Sequence, residues 1–253
     1  MVPDKIANHP DGKHVIQFNE KQHTYRDNKG SRYVSGTTFV GSFFPKFDAV
    51  SVSEKCSRGN NPKYAGRTPE DIRAEWAAEG ERGSSEGDNA HCYAEGKMSS
   101  WPEDKLPKPI SERCVKLFNQ IERITRWLKN KYKFIEAEKI IFSPDLGLAG
   151  MVDLIMLDPR TGEILILDWK TNEELSSKNF FQSAFSPIEY LQDTHINKYT
   201  LQLSLYQFLL DREGYFPDAK GFRRALIHLT PDSVLPVKIK DYTFEIKEMI
   251  KAA

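Results

Sequence analysis

Two apolar segments that end in charged residues constrain the fold of this chain more than any other feature. Residues 152–157 and 164–167 are rich in branched side chains and are bounded by Pro, Thr and Gly, which predicts two consecutive buried strands. Asp153 lies at the start of the first strand. Asp168 and Lys170 follow the second strand two positions apart, so the pleat points both to the same side. Charges on the rim of an apolar hairpin are costly unless they pair or bind a ligand. The two aspartates suit a divalent cation, and the lysine beside them suits a group that faces an anion. The structural alternative is a simple salt bridge between Asp168 and Lys170.

The segments upstream add candidate metal ligands. Residues 133–142 predict a strand that carries Glu136 and Glu138 on one face, so either could supply a third acid, and Glu138 ranks first. Mg²⁺ and Mn²⁺ prefer oxygen ligands and keep several waters, so two or three carboxylates suffice when a phosphate completes the shell. A helix over residues 79–95 would carry His91, a residue that in isolation is more often solvated than a ligand.

The segment downstream predicts an amphipathic helix over residues 198–210. Leu201 and Leu205 fall at the spacing of a core face, and Gln202 and Tyr206 lie one turn apart on a neighbouring face, from which they could reach the acids. A core helix with a polar flank would explain these two residues equally well.

Taken in order along the chain, these motifs resemble the PD-(D/E)XK nuclease superfamily. The resemblance covers residues 73–206 and is closest to the RecB-like branch, which includes the mitochondrial genome-maintenance exonuclease and the AddB and CRISPR-adaptation nuclease domains. Each motif is weak alone, and the specificity comes from their order. The matching residues are Gly87, His91, Glu138, Gly150, Val152, Asp153, Asp168, Trp169, Lys170, Thr171, Gln202 and Tyr206.

The resemblance implies a metal site and assigns each residue a task. Asp153 and Asp168 would ligate Mg²⁺ or Mn²⁺, with Glu138 contributing directly or through water. Lys170 would orient or deprotonate the attacking water and offset charge on the phosphate, and His91 would be an additional metal ligand. Such a site performs metal-assisted hydrolysis, in which the cation lowers the pKa of water and stabilises developing negative charge.

The fold and function that follow are also expectations from the resemblance. We expect an α/β protein with a restriction-endonuclease-like core, in which helices flank a mixed central β-sheet. Gln202 and Tyr206 would contact the scissile nucleotide or hold the lysine. The predicted function is a metal-dependent DNA nuclease, an exonuclease on single strands or duplex ends in recombination, repair or replication. The alternatives are a structure-selective or site-specific endonuclease and a non-catalytic nucleic-acid-binding domain, against which the intact acids and lysine argue.

The net charge is zero, because 36 Lys and Arg balance 36 Asp and Glu, whereas nucleic-acid-binding proteins usually have an excess of basic residues. Clustered cations can still bind DNA within a neutral total. Arg126, Lys129 and Lys131, interleaved with Trp127 and Tyr132, are the predicted substrate-binding residues of one such cluster. A second basic segment lies in residues 55–67. Solvated surface is the simpler explanation of both segments.

Cysteine usage predicts a reducing, intracellular location. Cys56, Cys92 and Cys114 are scattered and odd in number, and they are too few for the four-cysteine iron–sulfur cluster of several RecB-like relatives, so no cluster is expected. No apolar run is long enough to span a bilayer, and no membrane partner is expected. Residues 1–5 lack the features of a secretory signal or of an Arg-rich presequence.

The chain is predicted to divide into residues 1–68, an N-terminal β extension with a basic loop, and residues 69–253, the nuclease core. The extension should hold a small antiparallel sheet, followed by a mobile segment over residues 51–68. Pro69 should open a helix to residue 78. Ser111 should start another helix, ending near residue 131, and strands near residues 222–229 and 237–239 should precede a terminal helix over residues 242–252. The predicted core face of the helix after Ser111 consists of Val115, Phe118 and Ile121.

Overall fold

The computed structural model describes residues 5–179 and 182–253. Residues 1–4, at the start of the predicted extension, lie outside the described residues. The strands are β1 (Lys5–Asn8), β2 (Val15–Asn19), β3 (Thr24–Asp27), β4 (Arg32–Ser35), β5 (Lys133–Ser143), β6 (Leu148–Leu157), β7 (Ile164–Lys170), β8 (Phe222–Leu229) and β9 (Val234–Lys238). The α-helices are α1 (Gly36–Gly41), α2 (Ala49–Arg58), α3 (Pro69–Met98), α4 (Glu112–Lys131), α5 (His195–Arg212) and α6 (Thr243–Ala252). Short 3₁₀ turns cover Pro62–Tyr64 and Glu103–Lys105.

The described strands form one mixed sheet of nine strands. Their order is β1-β2-β3-β4-β6-β7-β8-β9, with β5 paired to the opposite edge of β6. The β4–β6 and β7–β8 pairs are parallel and the others are antiparallel. This architecture confirms the predicted α/β class with a restriction-endonuclease-like mixed sheet.

Two strands share one edge of β6 and separate along it. β4 pairs with residues 148–149 at the start of β6, and β7 pairs with residues 154–157 at its end. In the registers of the described strands, neither neighbour pairs with residues 150–153. The sheet therefore opens where β6 carries the first predicted acid.

Helices cover both faces of the central strands. Ile164 and Ile166 of β7 pack into the core with α1, α5 and α6, whereas Leu165 and Leu167 pack into the core with α3 and α4. Burial on both faces explains why these strands are continuous apolar runs in the sequence.

Two predictions for the helical segments upstream of β5 were wrong. The segment over residues 51–68 is not a loop throughout, because α2 occupies its first half. Asp48 caps this helix by accepting hydrogen bonds from the Val50 and Ser51 N–H groups. Residues 69–95 form one continuous helix, α3, instead of a helix that ends at residue 78. A Thr68–Asp71 capping box starts it.

One of the three residues predicted for the core face of α4 was wrong, and Phe118 and Ile121 are confirmed. Val115 is 47% exposed, whereas Cys114, Leu117, Phe118 and Ile121 are buried. The helix turns its apolar stripe toward β6 and β7, and this stripe follows Cys114 at intervals of three, four and seven residues.

The N-terminal strands continue the central sheet. β1, β2 and β3 form the predicted antiparallel meander, and β4 joins it to β6 through parallel pairing. The division of the chain at residue 68 stays a prediction. Within the described residues, every helix is too short or too polar to cross a membrane.

Candidate active site

The predicted acids of β5 and β6 face each other across the hairpin. The antiparallel register pairs Ala137 with Leu154 and Lys139 with Val152, so Glu138 and Asp153 lie between these two pairs. Glu138 has a φ of 51°, a conformation that a non-glycine residue adopts only where its surroundings hold it. Glu136, the competing candidate, pairs with Lys139 at 2.7 Å, and its side chain is 46% exposed. The geometry therefore favours Glu138 as the third acid.

Asp168 and Lys170 form a buried ion pair at the end of β7. The Lys170 Nζ lies 2.6 Å from Asp168 Oδ2, and the two side chains are only 15% and 3% exposed. The Nζ also lies 4.5 Å from the centroid of the Tyr199 ring. The salt bridge expected from the structural alternative is thus present. Among the described residues, the ion pairs of Glu138 with Lys5 and of Asp153 with His91 are longer, at 3.9 Å each.

The backbone of β7 orients Asp153. The N–H of Trp169 donates to Asp153 Oδ2 at 2.9 Å, while the indole is buried in the core with α4. From the other side, α3 carries His91, whose Nδ1 lies 3.9 Å from the same Asp153 oxygen. The structure thus brings together an acid and a histidine that are 62 positions apart in the chain.

Burial raises the pKa of all three acids. Burial and then the charge of Asp153 raise the pKa of Glu138 to about 8. Burial, partly offset by Lys170, raises the pKa of Asp168 to about 6, and burial also raises the pKa of Asp153. Burial alone would lower the pKa of Lys170, but the charges of Asp168 and Asp153 outweigh it and raise this pKa above its usual value. Burial and the Lys170 charge lower the pKa of His91, so its ring is neutral at neutral pH.

Tyr206 occupies a slot that two glycines leave open. A Cβ on Gly36 would lie 2.6 Å from Tyr206 Cε1, and a Cβ on Gly150 would overlap the same ring more severely. The Tyr206 side chain is 3% exposed, and its hydroxyl accepts a hydrogen bond from Gln202 Nε2 at 3.0 Å. Gly150 is therefore required by the close approach of α5 to β6.

The predicted residues line one cavity of about 490 Å³. All seven that the resemblance placed in the site contribute to its wall: His91, Glu138, Asp153, Asp168, Lys170, Gln202 and Tyr206. A larger cavity of about 1180 Å³ adjoins it and shares Asp88, His91 and Lys170. The three predicted acids line only the smaller cavity, and His91 and Lys170 connect them to the larger one.

Sequence reasoning missed the contribution of the N-terminal strands. Lys5, His23, Tyr25 and Ser35 also line the smaller cavity, and Lys5 Nζ lies 3.9 Å from Glu138 Oε2. Nothing in the local sequence marks these residues, because the β4–β6 pairing that brings them to the site joins distant segments. The left-handed φ of 52° at His23 becomes visible only in the structure.

The predicted basic cluster lies elsewhere. Arg126, Lys129 and Lys131 belong to the second half of α4 and are not among the described residues that line either cavity. Lys129 donates to Ser100 at 2.9 Å, and Lys131 lies 4.7 Å from the Trp127 ring centroid. Their DNA-binding role stays a prediction.

The donor set fits a divalent cation. Three carboxylates with raised pKa values line one cavity, and the nearby ammonium groups of Lys170 and Lys5 compensate their charge only in part. A cation would favour the ionised forms of these acids. Oxygen ligands of this kind suit Mg²⁺ or Mn²⁺, and the neutral imidazole of His91 suits Mn²⁺ better than Mg²⁺.

A comparison with known families agrees with this geometry. A family model of the PD-(D/E)XK nuclease superfamily matches residues 51–248, which is most of the chain and includes β5, β6, β7, α3 and α5. No curated protein matches the chain. The match identifies the superfamily but no branch within it, so membership of the RecB-like branch stays a prediction. With the family match and the convergent acids together, the chain belongs to the PD-(D/E)XK nuclease superfamily.

Proposed function

We propose that this protein is an exonuclease that hydrolyses the phosphodiester bonds of DNA, on single strands or duplex ends, in recombination, repair or replication. The superfamily supports a metal-dependent nuclease in general. The observation that carries the proposal is that Glu138, Asp153, Asp168 and Lys170 line one cleft, and that Lys170 also lines the larger cleft beside it. We also propose an intracellular location and membership of the RecB-like branch, which the position of His91 beside Asp153 supports.

In this proposal Asp153, Asp168 and Glu138 hold Mg²⁺ or Mn²⁺, and His91 adds a nitrogen ligand. When bound, the cation activates a water molecule and stabilises negative charge on the phosphate. The Trp169 N–H keeps Asp153 oriented toward the other ligands.

Lys170 acts as a fixed cation. The carboxylates beside it raise its pKa, so it holds its proton at neutral pH and cannot serve as a base in the metal-free geometry. Its ammonium group stabilises charge on the phosphate electrostatically and orients the attacking water through a hydrogen bond. Tyr199, against whose ring Lys170 lies, limits the movement of its side chain.

Gln202 and Tyr206 differ in exposure, and we assign them different roles for that reason. Because Tyr206 is buried between Gly36 and Gly150, we assign it the positioning of Gln202 and of the β6 backbone. Gln202 lines the cavity and is the residue that would contact the nucleotide or Lys170.

The larger cleft is the proposed path of the DNA strand. Lys63, Trp76 and Arg82 line it together with Lys170. The cleft is mixed in charge, since Glu79 and Glu86 also line it, but its cations and the Trp76 ring suit a strand that is held by its phosphates and by stacking of a base.

The nuclease test uses end-labelled linear and circular DNA, single-stranded and duplex, with Mg²⁺, Mn²⁺ or EDTA. We expect degradation of linear DNA alone, dependent on the metal and absent in Asp168→Asn. Cleavage of circular DNA would establish an endonuclease, and binding without cleavage in either metal would leave only a nucleic-acid-binding domain.

The DNA path is tested by the salt dependence of binding in catalytically inactive protein. Replacing Lys63 and Arg82 by alanine should reduce the slope of log affinity against log salt by about one for each phosphate that the protein no longer neutralises. The same measurement on a protein with Arg126, Lys129 and Lys131 replaced tests the basic cluster of α4. The set whose removal leaves the slope unchanged does not contact the DNA.

A further inference from the structure

The turn between β1 and β2 gathers a second group of metal-ligating side chains. One ligand atom from each of His9, Asp11 and His14 lies within 4.8 Å of the others. The Nδ1 of His14 is 2.7 Å from Asp11 Oδ2, and the Nδ1 of His9 is 3.2 Å from Asp11 Oδ1. The group is not among the described residues that line either cleft of the nuclease site.

The turn itself holds Asp11 in place. Asp11 Oδ1 accepts hydrogen bonds from the N–H groups of Lys13 at 2.8 Å and of His14 at 3.1 Å. These hydrogen bonds fix the carboxylate of Asp11 and orient its Oδ2 toward the imidazole of His14. The pattern His-x-Asp-x-x-His therefore converges within a single tight turn.

His9 is oriented from outside the turn by a carboxylate. Its side chain is 5% exposed, and its Nε2 lies 3.2 Å from Glu213 Oε2, at the end of α5. The ring also packs against Phe142 and Tyr215, with centroids 5.1 and 5.7 Å away. The N–H of Asp11 donates to His9 Nδ1 at 3.3 Å, so this nitrogen carries a lone pair that is directed into the turn.

We propose that His9 Nδ1, His14 Nδ1 and Asp11 Oδ2 form a binding site for a divalent transition-metal ion of the zinc type. Two imidazoles and one carboxylate are ligands that Zn²⁺ prefers and that Mg²⁺ and Ca²⁺ do not. A carboxylate behind a ligating histidine is a regular feature of such sites, and Glu213 supplies it. The side chains of Asp11 and His14 are 34% and 39% exposed, which leaves water access to a fourth coordination position.

The site would fasten the N-terminal sheet to the nuclease core. β1 begins at Lys5, which faces Glu138 of the acid cluster, and it ends beside His9. Glu213 follows α5, the helix that carries Gln202. A metal held at the turn would therefore tie β1 to α5 at a point separate from the acids.

The test measures binding of Co²⁺, as a spectroscopic substitute, and of Zn²⁺ to the EDTA-stripped full chain. We expect the turn site to remain in Asp168→Asn, which weakens the nuclease site, and to give the visible absorption of low-coordinate Co²⁺ bound to nitrogen. In the Asp168→Asn background, His14→Ala should weaken Co²⁺ and Zn²⁺ binding at least tenfold, and Glu213→Gln should weaken it about tenfold. Zn²⁺ should also raise the thermal midpoint of Asp168→Asn by about 5 °C at saturation.

Two aspartates provide matched variants. Asp11→Asn keeps the oxygen that accepts from the turn N–H groups and removes the charge that faces the metal, so it should weaken Zn²⁺ binding without unfolding the turn. Asp27 accepts from the Lys29 and Ser31 N–H groups in the turn between β3 and β4, and Asp27→Asn should leave Zn²⁺ binding unchanged. The proposal is overturned if Asp168→Asn binds no Zn²⁺, or if its affinity changes less than twofold in both His14→Ala and Asp11→Asn.

Discussion

Replacing Glu138 by glutamine should stabilise the metal-free protein at neutral pH while it abolishes cleavage. Burial and the charge of Asp153 raise the pKa of Glu138 from its ordinary 4.5 to about 8. The folded state therefore binds this proton more tightly than the unfolded state. The stability from the bound proton is fully present below pH 4.5 and is lost as the pH rises through 8. Glutamine has nearly the same shape as the protonated acid and carries no charge at any pH.

The size of the effect follows from the pKa difference. Each pH unit between the two pKa values costs the folded state about 1.36 kcal/mol, so ionisable Glu138 costs about 3 kcal/mol at pH 7. The side chain is 19% exposed, which leaves little solvent screening to reduce this figure. Because Asp153 shares part of the repulsion, we expect Glu138→Gln to gain about 2–3 kcal/mol at pH 7 and almost nothing near pH 4.5.

Urea denaturation in EDTA at several values between pH 5 and pH 8 measures this difference. Glu136→Gln is the matched control, since that side chain is 46% exposed and pairs with Lys139. Its stability should differ from that of the wild type by less than about 0.5 kcal/mol at every pH. A stability gain in Glu138→Gln that does not increase with pH would refute the assignment of a buried, repelled carboxylate at this position.

Four other substitutions test the site. Asp168→Asn and Lys170→Met should each reduce single-turnover DNA cleavage by at least about a hundredfold with an unchanged circular dichroism spectrum, and near-normal rates would place the chemistry elsewhere. His91→Ala should raise the metal concentration for half-maximal cleavage, more with Mn²⁺ than with Mg²⁺, whereas an unmoved metal titration would exclude it as a ligand. Gly150→Ala should lower the free energy of unfolding by about 1–3 kcal/mol in urea titrations, because its Cβ would overlap the Tyr206 ring. Adding Tyr206→Ala to the same protein should relieve that overlap. An unchanged free energy of unfolding in Gly150→Ala would contradict the packing.

The sequence was sufficient to predict the part of the site that depends on local pattern. The two apolar runs and the turn between them predicted β6 and β7, and the pleat placed Asp168 and Lys170 on one side, where they form an ion pair of 2.6 Å. The order of the motifs along the chain linked His91 to Asp153, although no periodicity relates residues so far apart. The superfamily match confirms the family that this order indicated.

The rest depends on contacts between distant segments. Lys5 and Tyr25 reach the cavity only because β4 pairs with β6, and no local pattern predicts that pairing. The helix α2 was missed because its sequence is polar, and its stability depends on the Asp48 cap and on packing against α3. Val115 was chosen wrongly, although Phe118 and Ile121 were right, because the edge of a helical apolar stripe depends on which face meets the sheet.

The opening of the sheet along β6 connects the fold to its chemistry. Because β4 and β7 separate over residues 150–153, Asp153 projects from a strand segment that neither neighbour covers, and the Trp169 N–H bonds its carboxylate instead of a backbone carbonyl. Tyr206 fills the same opening against Gly150, which closes the core beneath the acids and keeps them buried. Burial in turn raises the pKa values of Glu138, Asp153 and Asp168, so ionising these acids is costly without a cation. The arrangement that makes the metal-free site unstable toward rising pH is therefore the same arrangement that makes it bind a divalent ion.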